Sequence, residues 1–136
     1  MTLTDEQTRD IVTLRLESAA QALADAETLL KAGSLRGAAN RVYYGMFHAV
    51  SALAVQDGKS FKKHSGLITF FQKEYAKPEV LDRRHGRALQ KAFDDRSEAD
   101  YEDRTELTVE QVTERVREAR DLLGVVRGYI ARHAKE

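Results

Sequence analysis

Two stretches of this chain repeat an apolar residue at alternating steps of four and three. Val12, Leu16, Ala19, Leu23, Ala26 and Leu30 form the first, and Val112, Val116, Ala119, Leu123, Val126 and Ile130 the second. That spacing draws one apolar stripe along a helix of 3.6 residues per turn, whereas a strand needs alternation every second residue. Each stretch opens on a Thr and a Gln three positions apart, Thr4 with Gln7 and Thr108 with Gln111, the reciprocal capping pattern of a helix start. Pro78 is the only proline in 136 residues, so few positions forbid a helix. The expected fold is all-α, an antiparallel up-and-down bundle of four long helices plus one short helix, in a single domain spanning 1–136. The two seams serve packing within one chain or between two copies equally well.

Between the seams the first helix ends near Gly33, and Ser34 stands where a second helix begins, running to about Gln56 and the Asp57-Gly58 turn signal. Gly37 and Gly45 lie inside this helix beside Ala38, Ala39, Ala49, Ala52 and Ala54. Each glycine costs about 1 kcal/mol relative to Ala, and so many small residues predict a neighbouring helix packed very close. A basic loop, GKSFKKHS, leads to a short third helix from about Ser65 to Tyr75. Pro78 is then expected in the first turn of a fourth helix, whose apolar face is Leu81, Ala88, Leu89, Ala92 and Phe93. The segment DDRSEADYEDRTE reads as a helix end and an acidic loop.

Composition removes several function classes. With Cys 0 there is no disulfide framework, thiolate cluster or cysteine nucleophile. MTLTDEQTRD shows neither a secretory signal nor a transit pattern, and no long apolar run suggests a membrane span, so the expected location is cytoplasmic. His48, His64, His85 and His133 have no zinc-ligand spacing, and no HExxH, Gly-rich phosphate loop, G-x-S-x-G or dinucleotide fingerprint occurs. No metal and no cofactor are expected. The formal net charge of +0 argues against nonspecific coating of nucleic acid, yet the charge is unevenly spread. Residues 31–93 carry twelve Lys and Arg against four Asp and Glu, and residues 94–106 carry two against seven. A basic middle beside an acidic, Arg-bearing segment can offer a local phosphate site.

Candidate chemistry concentrates in NRVYYGMFHAV on the second helix. Asn40, Tyr44, Phe47 and Ser51 share one stripe, and Arg41, Tyr44, His48 and Ala52 an overlapping one. One reading makes Tyr43, Tyr44 and Phe47 core aromatics with satisfied hydroxyls, and Asn40, Arg41 and His48 their hydrogen-bonding neighbours. The other lets Arg41 hold a phosphate while His48 moves a proton, as a metal-free ribonuclease requires. Lys59, Lys62, Lys63 and His64 form a cation cluster before a helix start, either a phosphate receptor or an ordinary solvated loop. Arg83, Arg84, His85 and Arg87 extend a phosphate-tracking surface if they share its side.

Three ordered blocks, AANRVYYGMFHAVSAL, KKHSGLITFF and LQKAFDDRSEADY, resemble the motifs of the HEPN domains (higher eukaryotes and prokaryotes nucleotide-binding), over roughly residues 10 to 132. The resemblance implies an all-α bundle that homodimerises, often paired with a small nucleotidyltransferase as toxin and antitoxin, the active toxins being metal-independent ribonucleases. It places Arg96 at the family's catalytic Arg and Asn40 at its upstream polar partner. Where those nucleases carry a His four to six residues after the Arg, this chain has Asp100 and Tyr101. A Tyr hydroxyl with an ordinary pKa near 10 is a poor general base at neutral pH. Two readings follow. Either His48 or His64 leans into the cleft and the chain cleaves RNA, or Arg96, Asp100 and Tyr101 form a noncatalytic site that binds a nucleotide or docks the partner. Tyr101 is also a candidate for nucleotidyl or phosphoryl modification by that partner.

Overall fold

In the computed structural model, which describes residues 3–99 and 107–134, five α-helices follow in order: α1 (Asp5–Lys31), α2 (Leu35–Gln56), α3 (His64–Phe71), α4 (Arg83–Ala99) and α5 (Val109–Arg132). A π-helical turn, Gln72–Ala76, continues α3. No strand occurs among the described residues. The chain is an all-α bundle.

Both expected helix starts are present. Thr4 and Gln7 make the full reciprocal cap of α1. At α5 the Gln111 backbone N–H donates to Thr108 Oγ1 at 3.0 Å, but the Gln111 side chain turns away and donates to Asp95 Oδ1 at 3.1 Å. Ser34 is the N-cap of α2, though its hydroxyl accepts no capping bond.

Helix directions follow from the contacts. Leu23 lies against Gly45 and Leu29 against Gly37, which makes α1 and α2 antiparallel. Glu27 pairs with Arg120 across α1 and α5, and Asp95 with Arg115 across α4 and α5. Helix α2 is the centre, packed on α1, α3, α4 and α5. Its buried face, including Val42, Tyr43, Met46, Val50 and Leu53, meets Leu23, Phe71, Leu89 and Leu122 in one core. Gly45 explains the small residues: a Cβ there would stand 2.5 Å from Leu23 Cδ2 and 3.4 Å from the Ala19 carbonyl.

One local reading changes. Pro78 does not open the fourth helix; it lies in the turn that closes the π-helical segment, where a residue lacking an N–H cannot extend the ladder. Glu79 follows at φ 58, and the chain reverses with Glu79 N–H bonded to the Ala76 carbonyl at 3.0 Å. Asp82 then caps α4 by accepting from Arg84 N–H at 2.9 Å. The helix end expected in DDRSEADYEDRTE is present, with α4 running on through Asp94, Asp95 and Arg96 to Ala99, and residues 100–106 of that segment lie outside the described residues. The cause is nonlocal: Asp95, 7% exposed, accepts from Arg115 Nε at 2.7 Å and from Gln111. A carboxylate that looks solvated in the sequence is buried because α5 supplies its partners.

Candidate functional site

The stripe of α2 that its neighbours leave half-open holds Asn40, Arg41, Tyr44, Phe47, His48 and Ser51. Helix α1 flanks it on one side, and α3 with α4 on the other. Tyr43, one position off the stripe, is fully buried. Its hydroxyl lies 2.9 Å from Nδ1 of His64, the first residue of α3. The His64 ring stacks at a tilt on Phe47 with centroids 4.3 Å apart and meets the Tyr44 ring edge-on at 5.7 Å. Phe93 of α4 closes the cluster, 5.6 Å from the Tyr43 ring.

Arg96 enters from the last turn of α4. Its guanidinium carbon lies 5.3 Å from the Tyr43 ring centre and 5.5 Å from that of Tyr44. Nη2 reaches the Tyr44 hydroxyl only at 3.5 Å, and Nε is buried with no hydrogen-bond partner. Among the described residues no carboxylate pairs with Arg96. A buried guanidinium normally finds an anion or a full set of acceptors. Here two aromatic faces hold it by cation-π attraction.

Electrostatics separate the acid-base candidates. Burial holds the His64 pKa below 6.5, and the facing Arg96 charge lowers it further. The imidazole is therefore neutral at neutral pH. Burial pushes the Tyr43 phenol up to about 12 against the opposing pull of Arg96, so it remains protonated. With Nδ1 of His64 engaged by Tyr43, Nε2 is a base in the tautomer whose Nδ1–H donates to the phenol oxygen and a donor in the one whose Nδ1 accepts the phenol O–H.

His48 stands elsewhere on the stripe. Its ring is 6.3 Å from Tyr44 and 5.8 Å from Phe47, its Nδ1 is buried without a partner, and burial, then Arg15 and Arg41, hold its pKa low. Arg41 places its guanidinium 5.0 Å from the Tyr44 ring centre, opposite in sequence to Arg96, and donates to Asn40 Oδ1 at 3.0 and 3.2 Å. The structure thus gathers Arg96, His64, Tyr44, Arg41 and Asn40 around one aromatic cluster, with His48 on the α1 side. Asp100 and Tyr101 lie outside the described residues. Lys62 and Lys63 are exposed beside the start of α3, whereas Lys59 pairs with Glu74 at 3.2 Å. Tyr43 was not among the site residues expected from sequence; the adjacent Tyr43-Tyr44 pair was the available sign, but only the fold shows which hydroxyl meets His64.

A model of the HEPN domain matches residues 12–129 of this chain. The chain belongs to the HEPN domain family. This HEPN chain is 36% identical over 108 residues to a UPF0332 protein of Thermotoga maritima, covering 79% of this chain and 82% of that one. Two Methanocaldococcus jannaschii proteins, each named "Putative toxin", also match. One is 33% identical over 71% of this chain and 65% of its own length, and the other 29% identical over 73% and 74%. No helix among its described residues is long and apolar enough to cross a membrane.

Proposed function

We propose that this HEPN domain is the toxin-like component of a toxin-antitoxin pair and cleaves single-stranded RNA without a metal ion. The observation that carries the reading is that Arg96 and His64 share the same two tyrosine rings. An imidazole from α3 supplies the group that the sequence after Arg96 lacks. In the reaction His64 Nε2 takes the proton from an RNA 2'-hydroxyl, and the 2'-oxygen bonds to the adjacent phosphorus. Arg96 binds the extra charge of the pentavalent transition state. The bond to the 5'-oxygen breaks and that oxygen takes up a proton, leaving a 2',3'-cyclic phosphate and a 5'-hydroxyl. Asn40 holds Arg41 against Tyr44, where the guanidinium meets a flanking phosphate, and Lys62, Lys63 and the α3 start add positive potential.

The functional unit is a homodimer in the cytoplasm, its partner a small nucleotidyltransferase, and Asp100 and Tyr101 assist Arg96 or receive the partner's modification. Single-stranded RNA incubated with the protein in EDTA tests the reading. Wild type is expected to release cyclic-phosphate fragments, and Arg96→Ala to lose about 10²–10³-fold in rate. No cleavage by wild type, with a nucleotide still bound, favours a noncatalytic nucleotide-binding or partner-docking module, to which the Arg41–Tyr44–Arg96 stack is also suited.

A further inference from the structure

A groove of about 720 Å³ runs between α4 and the α3 segment with its π-helical turn. Its walls carry Lys73, Lys77, Arg83 and Arg87, with Thr69 and Gln90 as neutral donors and acceptors, and no carboxylate lines it. Gly86 and Gln72 form its floor: Gln72 Nε2 donates to the Gly86 carbonyl at 2.8 Å, and a Cβ on Gly86 would stand 2.2 Å from Gln72 Oε1. The Gln72 side chain and the Ala76 Cβ reach the α4 backbone there because position 86 has no side chain. Of the four cations only Arg83 is ion-paired among the described residues, to Glu79, and it also donates to the Lys77 carbonyl at 3.1 Å.

The same pair of elements ends at the Arg96 site. At one end Gln72 meets Gly86 and Lys77 meets Arg83; at the other, His64 and Arg96 meet over Tyr43 and Tyr44. The α3 segment and α4 therefore run antiparallel, with the groove at one end of the pair and the Arg96 site at the other; Gln90, at the near end of the groove, donates to Asp94 Oδ1 at 3.1 Å. From Arg87 to Arg96 the helix rises about 13 Å and turns through about half a revolution beyond two full turns, so a strand that touches both crosses α4 over a few nucleotides.

We infer that this groove is the track for the phosphate backbone of single-stranded RNA flanking the bond at Arg96, an inference that rests on the RNA-directed reading above. A row of cations over a neutral floor, three of them without an ion pair among the described residues, matches a polyanion of regular charge spacing. Lys73, Lys77 and Arg87 position the strand and take no part in the chemistry.

The test uses two probes, a 2'-O-methyl RNA of about twelve nucleotides, within the range of single-strand site sizes, and a cleavable dinucleotide too short to enter the groove. In Lys73→Ala/Lys77→Ala/Arg87→Ala the slope of log affinity against log salt for the oligomer is expected to flatten by about two, from about 0.7 per cation removed. Dinucleotide cleavage remains at the wild-type rate, and Lys73→Arg/Lys77→Arg/Arg87→Ala regains about 1.4 units of slope, the share of the two restored cations. Oligomer affinity and slope equal to wild type, or no oligomer binding by wild type, overturns the track and assigns the cations to another ligand such as an acidic protein surface. Absent dinucleotide cleavage with groove-dependent oligomer binding retires the nuclease and leaves the track standing.

Discussion

The Tyr43 hydroxyl and His64 Nδ1 lie 2.9 Å apart, joining the buried centre of α2 to the first residue of α3. The bond leaves Nε2 as the ring nitrogen that Tyr43 does not engage. In the tautomer whose Nδ1–H donates to the phenol oxygen, Nε2 is a base with a neutral phenol as its orienting group, and this is the tautomer the proposed cleavage requires.

Tyr43→Phe removes that bond and leaves the ring contacts to Phe47, Phe93 and Arg96 in place. Cleavage is expected to fall about tenfold in kcat with KM little changed, since the lost interaction orients the base and touches no substrate. Steady-state kinetics on the dinucleotide check the split.

Arg96 and burial both lower the His64 pKa, so replacing Arg96 with a neutral residue favours the protonated ring. His64 is expected to titrate below 6.5 in the wild type and to move upward in Arg96→Gln. NMR titration of the ring protons reads this without any activity. An unchanged value removes the electrostatic contact.

His85 is 3% exposed, and burial with Arg84 holds its pKa below 6.5 against the pull of Asp82 and Asp121. The unfolded chain then binds more protons at this ring than the folded one. Its contribution to stability is complete above about pH 6.5 and is lost as pH falls through the folded value. His48 and His64 act in the same direction. Urea unfolding between about pH 7.5 and pH 5.5 is expected to show stability falling with pH, less steeply in His85→Gln.

Gly45 and Gly124 both lie inside helices, with opposite expectations. Gly45→Ala drives a methyl into Leu23, which is fully buried, and is expected to destabilise by about 1–3 kcal/mol. Gly124→Ala meets nothing within 4 Å and is expected to stabilise by up to about 1 kcal/mol from helix propensity. Thermal or urea unfolding of the pair separates close packing from propensity.

What the sequence made legible follows from the range of the forces involved. The four-three seams and the Thr4 cap are local, and α1 and α5 stand where they predict. Gly45 was readable because a costly residue in a helix implies a close neighbour. Pro78 was misread because its fixed φ suits a helix start as well as a stop, and only Asp82 shows which applies. The helical run through Asp95 depends on Arg115, twenty positions away. For the same reason the sequence leaves His48 and His64 as alternatives beside Arg96, since nothing local places the His64 ring on Phe47. Lys73 and Lys77 lack a motif; the groove that gives them meaning exists only once Gly86 brings α4 against Gln72.

The central claim is that His64 supplies the imidazole missing after Arg96. Cleavage of single-stranded RNA in EDTA by His64→Ala and His48→Ala, side by side with wild type, tests it most directly. His64→Ala is expected to lose about 10²–10⁴-fold in rate, while His48→Ala retains cleavage within a few fold. A His64→Ala protein that cleaves at the wild-type rate contradicts the account.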